Sequence, residues 1–405
     1  MTQNIVNLVS DGVDKAKAGN ALEVYTEVAR IHDSGSLPSK SHYPFGWIIY
    51  YALHQAADSA IDFRKRMLAR YLRLDVTKPH KLHSMILTQA IRLYKDAKAL
   101  EHNQRPGDAI TFSFNKFLKL WDTSHLRPGD WRRKEFEGKP MSSTVEKMLT
   151  ASVDELADST ETPAPEITAI LDEALRSYPP THTLFAQKAT LSILSGNKEE
   201  GAAFLKKAIL SAPTKYYLWA RLAELVNPQE NLKLHISLLH KALSIPGAEQ
   251  FKGKIRLSLA KAWISAKAFP QALWELNKIR QLYEANGWHL SPSFNKALES
   301  IPTGTNPANP EEAYKRVAAL AESALYDALP PVTVKKNYHK NPSDTPDAFG
   351  KRQPAAWRVA DADGKTYWLQ PHRFNIPAEL PIGTTLLIRL HEGRPVKAEL
   401  HPEIQ

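Results

Sequence analysis

The chain of 405 residues contains no cysteine. That excludes disulfide staples, thiolate-held zinc and cysteine nucleophiles together, and it is compatible with a reducing compartment. Nor is there a run approaching the ~20 apolar residues of a membrane-spanning helix. The richest stretch, 47–53, is short enough to read as a buried helix. Met1-Thr2-Gln3-Asn4 lacks a basic stretch leading into an apolar one, so no secretory signal is expected. The expectation is a cytoplasmic protein without membrane contact. A glycine-rich phosphate loop, H-E-x-x-H and G-x-S-x-G are all missing. The chain therefore reads as a non-enzyme with no cofactor and no metal. Residues 100–140 leave room for catalytic side chains scattered in sequence. His80-x-x-His83 has metal-compatible spacing but no third ligand nearby, and reads as two ordinary histidines.

What is present fits a soluble globular protein: 43% hydrophobic and 24% charged residues, enough for a sizeable core. The length exceeds one ordinary core and fits two or three domains. The net charge of +10 is uneven. Residues 41–140 hold 18 Lys+Arg against 10 Asp+Glu, whereas 141–165 hold one Lys and five Asp+Glu. A basic block of this kind suits an acidic partner, either nucleic acid or an acidic protein surface. Within it, Arg66, Arg70 and Arg73 fall at i, i+4 and i+7 along one helix face, opposite Met67, Leu68, Tyr71 and Leu72. Such a stripe either grips phosphates or is the solvated outer face of a helix. Trp131-Arg132-Arg133-Lys134 adds an aromatic beside cations.

A 34-residue echo organises the middle. Leu171, Leu205 and Leu239 lie 34 apart, as do Ala174, Ala208 and Ala242. Pro179 and Pro213, Phe185 and Trp219, and Ala189 and Ala223 keep the same spacing. A fixed period of this length marks stacked helix pairs. Alanine at a fixed place lets two helices approach, and each proline stops a helix. These residues resemble the tetratricopeptide repeat, best over 181–247, with a half-repeat at 165–179. A third copy is shifted by three residues, through Leu259-Ala260, Trp263 and Ala272-x-x-x-Leu276. Gly201 and Ser192 depart from the family pattern. The resemblance implies an α-solenoid whose groove holds a protein partner. A similar second-helix pattern, Ala21-x-x-x-Tyr25-x-x-Val28, lies in the first 140 residues. The Ser, Thr, Asp, Glu and Pro of 150–165 read as a linker.

After Pro331 the texture changes to short alternating runs at 355–360, 365–370, 384–390 and 395–400, with turn signals at Asp363-Gly364 and Glu392-Gly393. Residues 332–334 are a possible fifth strand, and 338–354 a polar connector. A small β-barrel follows. It resembles the cold-shock and OB-type barrels, in which neighbouring strands display aromatics that stack on bases beside basic residues. On that resemblance Trp357, Tyr367, Trp368, His372 and Phe374 are nominated for stacking. Arg358, Lys365, Arg373, Arg389, Arg394 and Lys397 are nominated for phosphate contacts. The departure is Ala356-Trp357-Arg358-Val359, where the family carries two exposed phenylalanines flanking a glycine. An SH3-like or OB-like barrel used for protein contacts, with Trp357 or Tyr367 in its core, is the competing reading. Strand alternation puts either Tyr367 or Trp368 inside.

The combined reading is mainly α. Residues 1–140 form a basic helical domain, 141–164 an acidic linker, 165–330 a solenoid of tetratricopeptide-like hairpins, and 331–405 a small OB-like or SH3-like barrel. The expected function is a non-enzymatic adaptor that binds protein through its repeats and RNA or single-stranded DNA through the basic block and barrel. The alternative is a purely protein-binding scaffold or regulatory subunit.

Overall fold

The 34-residue spacing selects buried positions. In a computed structural model of the chain, Leu171, Leu205, Leu239, Ala174, Ala208, Ala242, Ala189, Ala223, Phe185 and Trp219 are all buried. The structure describes residues 2–56, 61–101, 112–137, 139–159, 161–179, 181–326, 329, 331–340, 355–374, 376–377, 379–391 and 393–401. They are mainly helical and end in a curled antiparallel sheet. The chain divides into two compact units, Met1–Pro179 with Thr190–Gly196, and Pro180–Ala189 with Asn197–Gln405.

The first unit contains α1 (Thr2–Lys15), α2 (Ala21–Asp33), α3 (His42–Gln55), α4 (Ile61–Leu72), α5 (Lys81–Glu101) and α6 (Phe114–Trp121). A two-stranded hairpin follows, β1 (Lys134–Phe136) and β2 (Lys139–Met141), and then α7 (Thr144–Ala157) and α8 (Pro165–Ser177). The apolar run at 47–53 sits in α3, which buries Ile48, Ile49, Ala52 and Leu53 and touches α1, α2, α4 and α5. His83 is a core residue. It lies flat on Trp121, with ring centroids 4.3 Å apart. It also bonds the Tyr71 hydroxyl and the Trp121 carbonyl, each at 3.1 Å. Burial pulls its pKa down to about 4, so the ring is neutral.

The acidic stretch expected to be a linker differs. Residues 144–157 are helix, with Val145, Met148, Leu149, Val153 and Leu156 buried. Those residues recur at helical spacing, and average composition hides a periodicity. The helix starts with a reciprocal cap, in which Ser143 accepts from the Glu146 amide and the Glu146 carboxylate accepts from the Ser143 amide. Arg133 clamps the same carboxylate with two bonds of 2.6 and 3.0 Å. Burial alone raises the pKa of Glu146, but the Arg133 and Ser143 bonds outweigh it and hold it below its usual 4.5. A carboxyl whose folded pKa is depressed stabilises the fold above its unfolded pKa and loses that contribution as pH falls through the folded value. Urea midpoints measured from pH 6 to pH 3 should therefore fall more steeply for the natural protein than for Glu146→Gln. Equal slopes would show that the clamp does not contribute.

The second unit contains part of α9 (His182–Leu194), then α10 (Lys198–Ser211), α11 (Tyr216–Leu225), α12 (Leu232–Ser244), α13 (Gly253–Ser265), α14 (Phe269–Ala285), α15 (Pro292–Glu299) and α16 (Glu311–Tyr326). From α10 to α14 each helix packs on the next, and α16 returns to lie on α12. That return is held by the Ser237 hydroxyl on the Val317 carbonyl and by Lys241 on Glu322.

The sheet that follows comprises β3 (Pro331–Lys340), β4 (Ala356–Ala360), β5 (Thr366–Leu369), the short α17 (Pro371–Phe374), β6 (Thr385–His391) and β7 (Arg394–Leu400). Its order is β5-β4-β3-β6-β7, antiparallel throughout. The long β3 pairs with β6 through its first half and with β4 through its second, and a bulge separates Lys336 from Tyr338. A bulge bends a strand and increases its twist, which lets one strand serve two neighbours. The outer strands β5 and β7 approach each other, so the sheet curls into a half-barrel around Val334, Trp357, Val359, Leu369, Leu386 and Ile388. The hairpin signals fall at turns: Gly364 and Gly393 take φ of 80° and 75°, which favour glycine. The sequence reading placed the first strand at 332–334 and a connector from 338. The strand instead runs to Lys340, because the bulge breaks the alternation by which strands are recognised.

Candidate nucleic-acid interface

Side chains alternate across a strand, so each strand of the half-barrel divides its residues between a core face and an outer face. Trp357, Val359, Tyr367 and Leu369 take the core face of β4 and β5, and Arg358 and Trp368 take the outer face. Arg358 is directly opposite Trp368 on one side and Tyr338 on the other. The result is a cross-strand row, Tyr338–Arg358–Trp368, with a guanidinium between two aromatics. Tyr338 is 53% exposed and Trp368 56%. Neighbouring strands lie ~4.8 Å apart, so the two rings are about 10 Å apart across the row. Lys335 and Lys340, also exposed, flank it on β3 opposite Ala360 and Ala356.

The expected stacking residues separate accordingly. Trp357 is a correction: it is fully buried. Its indole N–H donates to His339 Nδ1 at 3.1 Å, and the buried Lys336 amine lies 4.4 Å from the ring centroid. Burial lowers the Lys336 pKa, and its amine donates to the Leu380 carbonyl. Tyr367 is a second correction. It belongs to the core, and its hydroxyl donates to Asp361 at 2.9 Å. Burial, with the Asp361 carboxylate adding to it, holds the phenol above its usual value. Phe374 packs half-buried against the same core. Trp368 alone of the nominated aromatics with described side chains stands fully outside. The His372 side chain lies outside the described residues.

The nominated cations also divide. Arg358, Lys365, Arg373 and Arg394 are exposed. Lys365 lies 5.7 Å from the Tyr367 ring centroid. Arg389 is a correction, since its guanidinium donates to the carbonyls of Tyr326 and Leu329 just past α16. Cations complement the negative end of a helix dipole, so this arginine ties the sheet to a helix end. Lys397 pairs with Glu399 at 3.1 Å and reaches Glu322 at 3.8 Å. In the first unit the expected arginine stripe is broken. Arg66 and Arg73 are exposed, but Arg70 is held by Asp33 at 2.6 and 3.3 Å and by the Tyr25 hydroxyl. A neutralised middle member removes the stripe's continuous charge.

Sequence reasoning missed Tyr338. The available signal was Lys335-Lys336-Asn337-Tyr338, two cations and an aromatic directly after Val332-Thr333-Val334, and the bulge at Asn337 hid the face to which the tyrosine belongs. Among the described residues no helix is long and apolar enough to cross a membrane, and no group of three His, Asp or Glu side chains gathers to hold a metal ion.

A family model described as a domain of unknown function (DUF7017) matches residues 185–321. That stretch begins within α9, ends within α16 and stops before β3. No curated protein matches the chain.

Proposed function

We propose that this chain is a non-enzymatic adaptor whose C-terminal half-barrel binds single-stranded RNA or DNA on the outer face of β3, β4 and β5. The observation that carries the reading is the row Tyr338–Arg358–Trp368, flanked by Lys335 and Lys340. Stacking on aromatics tolerates any base, because every base has a π face, while nearby cations follow the backbone. We read the half-barrel as OB-type. Five antiparallel strands, a partly open curl and non-consecutive pairing of β3 with β6 support that reading, and such barrels use the face of their second and third strands, here β4 and β5. We read the helices of the second unit as tetratricopeptide-like, supported by burial of the 34-spaced positions. They supply a surface for a protein partner, and Phe251 and Trp288 are exposed apolar side chains there.

A second reading rests on the same row. Tyr, Trp and Arg are also the residues enriched at protein–protein hot spots, so the face suits a purely protein-binding scaffold. Salt separates the two readings. Phosphate contacts release counterions, and affinity for single strands falls with log[salt] at a slope of about −0.7 per contact. We expect full-length protein to bind labelled oligo-U or oligo-dT in fluorescence anisotropy, with a slope of about −2 if Lys335, Lys340 and Arg358 each contact a phosphate. No binding at low salt would refute the nucleic-acid reading and leave the scaffold.

A further inference from the structure

The second unit contains a cleft of about 1140 Å³ lined by residues of α12, α13, α14, α16, α17 and β7. It is larger than the ~300–1,000 Å³ usual for small-molecule sites. Five basic side chains and three carboxylates line it. The carboxylates are all engaged: Glu249 by Lys252 and Arg256, Glu322 by Lys241 and Lys397, and Glu399 by Lys397. Arg256 also holds the fully buried Glu275. Two lining cations remain without an ion pair among the described residues, Lys278 on α14 and Arg373 on α17, both exposed. The Lys278 amine lies 5.0 Å from the ring centroid of Trp274, one helical turn before it on the same face. The positive charge left over in the cleft is therefore held at two points, one on α14 and one on α17.

Arg373 is also close in sequence to the outer face of the sheet. It follows Trp368 by five residues, so their Cα atoms are at most ~18 Å apart. That is on the order of five nucleotides for a strand that keeps the ~3.4 Å spacing of stacked bases. We propose that a single strand stacked on Tyr338 and Trp368 continues past Arg373 into this cleft, where Lys278 also holds its phosphates. The cleft then works as a channel between the half-barrel and the helices of the same unit, and makes the helical part a direct contributor to nucleic-acid binding. This rests on the binding reading given above and adds a length dependence to it.

The test uses full-length protein with fluorescein-labelled oligo-U and oligo-dT of three and twelve nucleotides, titrated against salt. With the twelve-mer, Lys278→Glu and Arg373→Glu should each weaken binding about tenfold and make the salt slope shallower by about 0.7. With the three-mer both variants should match the natural protein. Equal losses at both lengths, or no loss at either, would overturn the channel while leaving the outer face as the binding site. Failure of both oligonucleotides to bind would remove the parent reading and the channel with it. The cleft would take free nucleotide, and not a continuing strand, if uridine monophosphate binds the natural protein and Lys278→Glu abolishes that binding.

Discussion

Replacing Trp368 by alanine should weaken binding of a single-stranded oligonucleotide roughly 5- to 150-fold, the equivalent of ~1–3 kcal/mol for one stacked base. Tyr338→Ala should lose a similar amount. The reasoning is geometric. Both rings stand on the outer face, outside the half-barrel's core cluster, so their removal leaves that core's packing in place. The thermal midpoint of either variant should stay near that of the natural protein. Anisotropy titrations at fixed salt measure the loss, and quenching of tryptophan fluorescence by the bound strand should shrink in Trp368→Ala. Because the two rings share one ligand, the double variant need not equal the sum of the singles, and the departure measures their coupling. Unchanged affinity in both single variants would sink the assignment of this face.

Trp357→Ala should have the opposite profile. This ring is fully buried at the centre of the half-barrel, and its removal deletes a large apolar volume and leaves His339 without its indole donor. Large-to-small changes of this kind cost about 3–5 kcal/mol, a large fraction of the stability of a small domain. The expected result is early melting and protease cleavage after Pro331, with nucleic-acid binding lost because the strands that hold Tyr338, Arg358 and Trp368 no longer pair. Trp357→Phe should recover most of the fold and most of the binding. A Trp357→Ala protein that melts like the natural one, yet binds oligonucleotide poorly, would return this residue to the stacking role that its sequence context suggested.

The contrast between Trp357 and Trp368 shows where sequence reasoning reached its limit. Alternation required one of two adjacent aromatics in β5 to be inside, and Tyr367 took that place beside Leu369. For Trp357 alternation with Val359 allowed a core place, but the family resemblance nominated it for stacking, and the local pattern did not choose between the two. Ala356-Trp357-Arg358-Val359 fits a strand in either orientation, and only pairing with β3 and β5 determined which side faces the core. The same holds for charge. Arg389 and Arg394 look alike as isolated cations in a basic tail, but one meets carbonyls just beyond α16 and the other meets solvent. Arg70 and Arg73 differ in the same way, because Asp33 lies 37 residues from Arg70 in the chain.

The helical middle was legible for a simple reason. Leu and Ala at a 34-residue period fall on buried positions, and a recurring packing requirement leaves a trace in the sequence. The turn glycines at 364 and 393 were legible because positive φ strongly favours glycine. By itself, then, the sequence determined the helical body, the strand-rich tail, the turns between its hairpins and the absence of cysteine chemistry. The tertiary structure alone decided which tryptophan is core and which is surface, that Tyr338 joins Arg358 and Trp368 in one row, and which cations are already neutralised. Those properties depend on partners far away in the chain and on a single bulge in β3, and neither one has a period that a local pattern can carry.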